Sequence, residues 1–317
     1  MKNEQLAHEI YDIAISCGFD NCGIIPIGDM EGYKARFQER LEQVPQSVPF
    51  YQQIAGITRI AERFPWAKSL VVCTTWLGKY RYPKALQGKY GKAFLLSPSS
   101  DRNCPAYREK LRFEQWFRDQ GIRCAGGDRY GHGKVGGLRY AAMMAGLGII
   151  RKNNFFYSDK GSYVELEGYV IDRDCELKQE CHLPPCDEHC SLCQTACKTR
   201  SLSAPYTMNP LACVSFWTTF GQGKLPPMLP EPLLEEWICG CDNCQDACPH
   251  NRHDWDQGED FPGLNELVEQ LQPEQLLTAS DAFLQEVASP RSVEHIAPEQ
   301  AITFRINAER VLRNRVE

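Results

Sequence analysis

Two runs decide the reading of this chain. The first is Cys186-Asp-Glu-His-Cys190-Ser-Leu-Cys193-Gln-Thr-Ala-Cys197, and the second is Gly240-Cys241-Asp242-Asn243-Cys244-Gln245-Asp246-Ala247-Cys248-Pro249-His250-Asn251. Cys213 lies between them. Iron–sulfur clusters take soft thiolate ligands, four to a cubane. A short loop wraps three cysteines around one cubane, and the fourth ligand comes from elsewhere. In two-cluster ferredoxins the last cysteine of each run ligates the other cluster. The spacing therefore predicts two [4Fe–4S] clusters. One is expected on Cys186, Cys190, Cys193 and Cys248, the other on Cys197, Cys213, Cys241 and Cys244. Such a protein moves electrons one at a time.

Other uses of these cysteines fit less well. Disulfides need an oxidising compartment, and the polar start Met-Lys-Asn-Glu-Gln-Leu-Ala-His-Glu-Ile lacks the apolar core of a secretory signal. Zinc takes sets of four cysteines, but the Cys248-Pro249 ending is a ferredoxin habit. The gap between Cys186 and Cys190 is one residue longer than the common ferredoxin gap, which loosens that loop. His189 and Cys181 stand as alternative ligands there.

The chain has 317 residues, 43% of them hydrophobic, enough for two domains and a substantial core. No apolar run approaches the ~18 residues that would suggest a membrane span, so no membrane is expected. The net charge of −6 argues against a chain-wide nucleic-acid surface. The other eight cysteines, Cys17, Cys22, Cys73, Cys104, Cys124, Cys175, Cys181 and Cys239, are scattered and read as small buried hydrophobes. Many reduced thiols beside cluster loops point to a cytoplasmic location.

Periodicity places the elements. Residues 3–17 read as an amphipathic helix on Leu6, Ile10, Ile13 and Ala14, closed by Gly18. Cys22–Pro26 is a short strand and Leu70–Thr75 a buried one. Residues 106–120 form a second helix, followed by a strand beginning near Gly121. A glycine-rich stretch, Gly126 to Gly137, suits close approach of a ligand and precedes a helix over 138–146. Gly161 to Ile171 alternates as a strand. A loop-rich cluster region and a helical tail from about Phe261 complete the chain.

These pieces, in this order, resemble the epoxyqueuosine reductases, cobalamin-dependent iron–sulfur enzymes related to the reductive dehalogenases. The resemblance rests on the four-cysteine run, on Cys213 sixteen residues after Cys197, and on the Gly240–Asn251 block. Arg139 to Asn153, with Ala145-Gly146-Leu147-Gly148 and Lys152-Asn153, resembles the family's arginine-containing helix and the turn that follows it. The resemblance implies an α+β fold, a nitroreductase-like cobalamin-binding α/β domain over 1–175 fused to a two-cluster ferredoxin-like domain over 176–260, with a helical tail over 261–317. It implies electrons relayed from a low-potential donor, reduced ferredoxin or flavodoxin, through two [4Fe–4S] clusters to cobalamin. Arg139, Lys152 and Asn153 are the residues it assigns to the cofactor pocket.

Three departures shape the expected function. His132 stands where the family has its acidic proton donor, with Asp128 and Tyr130 as neighbours that could serve instead. Arg151 replaces a glycine and forms a cationic patch with Arg139 and Lys152. The chain stops at Glu317, where the family continues into a HEAT-like domain that grips tRNA. With the net negative charge, these departures favour reductive cleavage of a small-molecule substrate, with nucleic acid unlikely as a partner. An electron-transfer or corrinoid-handling protein is one alternative. A shortened epoxyqueuosine reductase acting on tRNA is another.

Overall fold

The computed structural model describes residues 3–126, 135–227 and 229–315. The chain divides into two compact units, residues 1–76 with 105–190, and residues 77–104 with 191–317. These lines do not coincide with boundaries near 175 and 260. Residues 77–104 join the cysteine-rich unit, as does everything after Phe261.

The first unit is built on an antiparallel sheet in the order β1-β2-β6-β3, from Asn21–Pro26 (β1), Ser69–Trp76 (β2), Cys124–Gly126 (β3) and Val164–Ile171 (β6). A hairpin of Ile149–Ile150 (β4) and Phe156–Tyr157 (β5) stands beside it as a second, two-stranded sheet. Side chains alternate across a strand, and here both faces are covered. Cys22, Ile24, Val71, Cys73, Tyr169 and Ile171 pack on one side with Ala7, Ile10 and Ala14 of the Glu4–Ser16 helix and Phe113 and Phe117 of the Pro105–Asp119 helix. Ile25, Leu70, Val72 and Val170 pack on the other with Tyr140, Ala141 and Ala142 of the Leu138–Met144 helix. Fully burying one such aliphatic side chain is worth ~1.5–3 kcal/mol, so these two layers hold the unit together. The expected elements are present, and the fold is a mixed α/β one.

Helix ends follow the sequence signals. The Asn3 side chain accepts from the Leu6 amide at 3.0 Å and caps the first helix. Gly146 closes the Leu138–Met144 helix at φ 74°, where the Leu147 amide reaches the Ala142 carbonyl at 3.0 Å. A Cβ at Gly146 would lie 1.9 Å from the Gln179 carbonyl oxygen, so only glycine fits there.

Cysteines outside the two runs are mostly core residues. Cys17, Cys22, Cys73 and Cys175 are buried in one cluster, with Cys124 packed against it. Burial pushes the Cys175 thiol up to about 11 and the Cys124 thiol up to about 12, so both are neutral packing groups at ordinary pH.

In the second unit the tail is integral. Asn307, on the Ile302–Asn314 helix, donates to the Thr218 carbonyl at 2.9 Å and the Ile238 carbonyl at 2.8 Å. The Tyr80 ring packs edge-on to Phe261 at 5.0 Å, and Tyr90 donates to the Leu271 carbonyl at 2.8 Å. The arginines of this helix and Arg315 just after it are tied to neighbouring groups. Arg310 donates to the carbonyls of Glu235 and Trp237, Arg305 pairs with Asp281, Arg313 with Glu231, and Arg315 with Glu236 and Glu274. Arg310 is thus a buried tie, while the ion pairs of Arg305, Arg313 and Arg315 lie at the surface.

Among the described residues no helix is long and apolar enough to cross a membrane.

Candidate iron–sulfur centres and their surroundings

Cys186 and Cys190 lie at the end of the first unit, and the other five cysteines of the two runs, with Cys213, lie in the second. Within the second unit Cys197, Cys213, Cys241 and Cys244 act on one another electrostatically, Cys213 with Cys197, Cys241 with Cys213 and Cys244, and Cys244 with Cys213, Cys197 and Cys193. Burial first, and then neighbouring sulfurs, push the Cys241 and Cys244 thiols well above their ordinary range. Cys213 is also raised by burial, although backbone amides of Ser215 and Phe216 point at it and lower it. A group of buried thiols crowded in this way resists ionisation unless a strongly positive centre arrives, and metal binding releases those protons.

The residues between the second-run cysteines have structural work. The Asp242 carboxylate accepts from the Lys92 amide at 2.7 Å and from its ammonium at 3.3 Å. Lys92 also meets Asp246 at 2.9 Å and lies over the Trp255 ring at 5.3 Å. Burial raises Asp242 to about 6, against the lowering effect of Lys92. Asn251 donates to the Gln245 carbonyl at 2.8 Å and closes the turn after Cys248. Lys92 is a support that the spacing of cysteines gave no means of finding, because it lies 150 residues from Asp242.

The first run is supported from the hairpin. Arg151, Lys152, Asn153 and Asn154 occupy the turn between β4 and β5 and are all buried. Asn154 takes a left-handed backbone, φ 65°, and its amide bonds the Arg151 carbonyl at 2.8 Å. This turn aims two cations at the Cys186–Cys190 loop. The Lys152 ammonium donates to the carbonyls of Asp187 at 2.7 Å, Glu188 at 2.7 Å and Cys190 at 3.0 Å. Arg151 Nη1 lies 3.8 Å from Cys186 Sγ. Asn153 Nδ2 donates to the Tyr157 hydroxyl at 2.8 Å, and its Oδ1 accepts from the Phe155 amide at 3.2 Å. Lys152 and Asn153 are thus engaged by the fold itself.

Arg139 stands in different company. It donates to the Asn154 carbonyl and lies over the Phe155 ring at 5.5 Å. Arg40 reaches the Asn154 side chain at 3.1 Å and lies over Tyr51 at 5.8 Å. Arg36 lies over Tyr140 at 5.6 Å, and Tyr140 meets Tyr33 at 5.7 Å. The result is a local group of three arginines interleaved with aromatic rings, in a chain whose total charge is negative. His132, with Asp128 and Tyr130, lies outside the described residues.

Residues 186–251 match the family described as a 4Fe-4S double cluster binding domain. The iron–sulfur reading of the two runs holds. Sequence similarity extends well beyond that segment. The epoxyqueuosine reductase of Cellulophaga algicola is 26% identical over 243 residues, 75% of this chain and 77% of that protein. The chain is similar in sequence to the epoxyqueuosine reductases. That of Pseudomonas aeruginosa is 32% identical over 145 residues, 45% of this chain and 40% of the relative. Solved structures agree on the fold. A selenomethionine-labelled epoxyqueuosine reductase covers 95% of this chain, itself covered to 81%, with a TM-score of 0.68 and 23% identity. An epoxyqueuosine reductase with a stem loop of epoxyqueuosine-modified tyrosine tRNA covers 98% of this chain, itself covered to 84%, with a TM-score of 0.66 and 22% identity. The relatives are reductases by name, so the expected enzyme class, an oxidoreductase, stands.

Two expectations are overturned. A small-molecule substrate in place of tRNA, and nucleic acid as an unlikely partner, both conflict with relatives named for a tRNA modification and with the neighbour holding a tRNA stem loop. The physical error lies in using net charge. A value of −6 is a sum over the whole chain, whereas phosphate contact depends on local clusters of Arg and Lys. Arg36, Arg40 and Arg139 form such a cluster.

Proposed function

We propose that this chain is an epoxyqueuosine reductase acting on tRNA. The observation that carries the reading is the double-cluster segment at 186–251 set within similarity to an epoxyqueuosine reductase over 75% of the chain. Cys186, Cys190, Cys193 and Cys248 hold one [4Fe–4S] cluster, and Cys197, Cys213, Cys241 and Cys244 the other, as their spacing suggests. A low-potential donor such as reduced ferredoxin or flavodoxin supplies the electrons.

The first unit takes a nitroreductase-like cobalamin-binding role in this reading. Its residues suit a large cofactor bearing amide arms and a phosphate. Arg139 is exposed, and the buried Asn154 Nδ2 has no hydrogen-bond partner among the described residues. Cobalamin, when bound, supplies the reductive cleavage of a carbon–oxygen bond. Arg139 would bind and orient its polar arms, and Asn153 would brace the turn. Lys152 would act at one remove, through the loop it holds. His132 is the proposed proton donor, since an imidazole titrates near neutrality. Arg36 and Arg40, with the half-buried Tyr33, offer the tRNA backbone charge and a ring face.

The test is direct. Protein reconstituted with iron, sulfide and cobalamin is given an epoxyqueuosine-containing tRNA stem loop and a low-potential reductant, and nucleosides are read by mass spectrometry. Conversion to queuosine is expected. Iron-replete, cobalamin-supplemented protein that leaves the stem loop unchanged, and that fails to complement a queuosine-deficient strain, would refute the reading.

A further inference from the structure

Arg151 has an unusual position for a cation. Its side chain is 2% exposed, and among the described residues its one hydrogen-bond partner is Cys186 Sγ at 3.8 Å. Its Nε has no hydrogen-bond partner among the described residues, and its guanidinium lies over the Tyr157 ring at 5.2 Å. Among the described residues no carboxylate pairs with it. A guanidinium keeps its charge permanently. A buried charge lacking an anion is strongly unfavourable, so this site is complete only when negative charge sits at the sulfur. A thiolate bound to iron supplies that charge. Each electron added to the cluster increases it further, and a fixed cation in a low-dielectric site stabilises the reduced state more than the oxidised one.

We propose that Arg151 tunes the cluster ligated by Cys186, raising its reduction potential so that it accepts electrons more readily than the same cluster without the cation. The inference rests on the reading of Cys186 as an iron ligand. It makes Arg151 a positioning residue for charge, acting through the sulfur and touching neither substrate nor cobalamin. Lys152 adds to the field at the same loop, but its three carbonyl partners give it a separate holding role.

The experiment uses the full chain reconstituted with iron and sulfide, without cobalamin or tRNA. Potentiometric titration followed by paramagnetic resonance gives both cluster potentials for wild type, Arg151→Met and Arg151→Lys. Arg151→Met is expected to shift the one-electron equilibrium of a single cluster at least tenfold toward the oxidised form, about 59 mV lower. The other cluster should not move. Arg151→Lys, which keeps the charge, should stay closer to wild type, and if Arg151→Met loses its cluster, Arg151→Gln replaces it in the comparison. Full iron content with both potentials unmoved in the neutral variant would overturn the role of Arg151 while leaving the clusters intact. A Lys variant displaced as far as the neutral one would overturn the charge argument as well. A wild-type chain that takes up no iron would instead defeat the cluster reading on which the inference stands.

Discussion

Replacing Lys152 with methionine should loosen the Cys186–Cys190 loop and empty one cluster while leaving the fold of both units in place. The ammonium makes three hydrogen bonds, at 2.7, 2.7 and 3.0 Å, and Lys152 is 7% exposed. A hydrogen bond to a charged group contributes about 1.5–3 kcal/mol, so a simple sum would give roughly 5–9 kcal/mol. That sum overstates the effect. One ammonium is shared among three acceptors, and Asp187 and Glu188 are exposed, so water replaces part of what is lost. A net loss of about 2–4 kcal/mol in holding the loop remains, a roughly 30- to 1000-fold fall in the ordered fraction. The apolar stem of methionine fills the same space, which separates charge from packing. After reconstitution, wild type should carry about eight irons per chain and Lys152→Met about four. Hydrogen exchange over residues 186–190 should rise together with that loss. Lys160→Met is the control, because its salt bridge with Asp20 is on the surface and contributes little. Full iron in Lys152→Met, with exchange in the loop unchanged, would refute the reasoning.

Other expectations follow from the same geometry. Gly146→Ala puts a Cβ 1.9 Å from the Gln179 carbonyl oxygen at a left-handed position, and should destabilise the chain by about 2–4 kcal/mol, read as a lower urea midpoint. Asn307→Ala leaves the Thr218 and Ile238 carbonyls without their donor and should lower stability by about 2–3 kcal/mol; an unchanged midpoint would mean water replaces the amide. Cys175 and Cys124 hold their protons up to about 11 and about 12 when folded, above the ordinary thiol value of 9.0. Their contribution is therefore complete below pH 9 and is lost as pH rises through those values. Urea midpoints should fall in that window, less steeply in the Cys175→Ala chain, and equal slopes would contradict the burial argument.

Much of the fold was written in the sequence because it depends on short-range pattern. Leu6, Ile10 and Ala14 give the first helix its buried stripe, Leu70 to Cys73 give β2, and Gly18 and Gly146 mark helix ends at positive φ. The cysteine runs were equally legible, since ligand spacing is a local property of a loop.

What the sequence could not convey is which distant groups support those loops. Lys92 meets Asp242 across 150 residues, and Lys152 and Arg151 reach the 186–190 loop from a turn 35 residues earlier. Read in line, Arg139, Arg151 and Lys152 look like one cationic patch. The β4–β5 hairpin separates them, burying Arg151 and Lys152 beneath a cysteine loop and leaving Arg139 exposed among aromatic rings. The arginines near the end of the chain are bound to carbonyls and carboxylates, ties that their order in the sequence does not reveal. Sequence alone determined that this chain carries thiolates spaced for two clusters on an α/β scaffold, because spacing and periodicity are local. Tertiary structure decided which charges are free, because the field at any site is set by whatever the fold brings within a few ångströms.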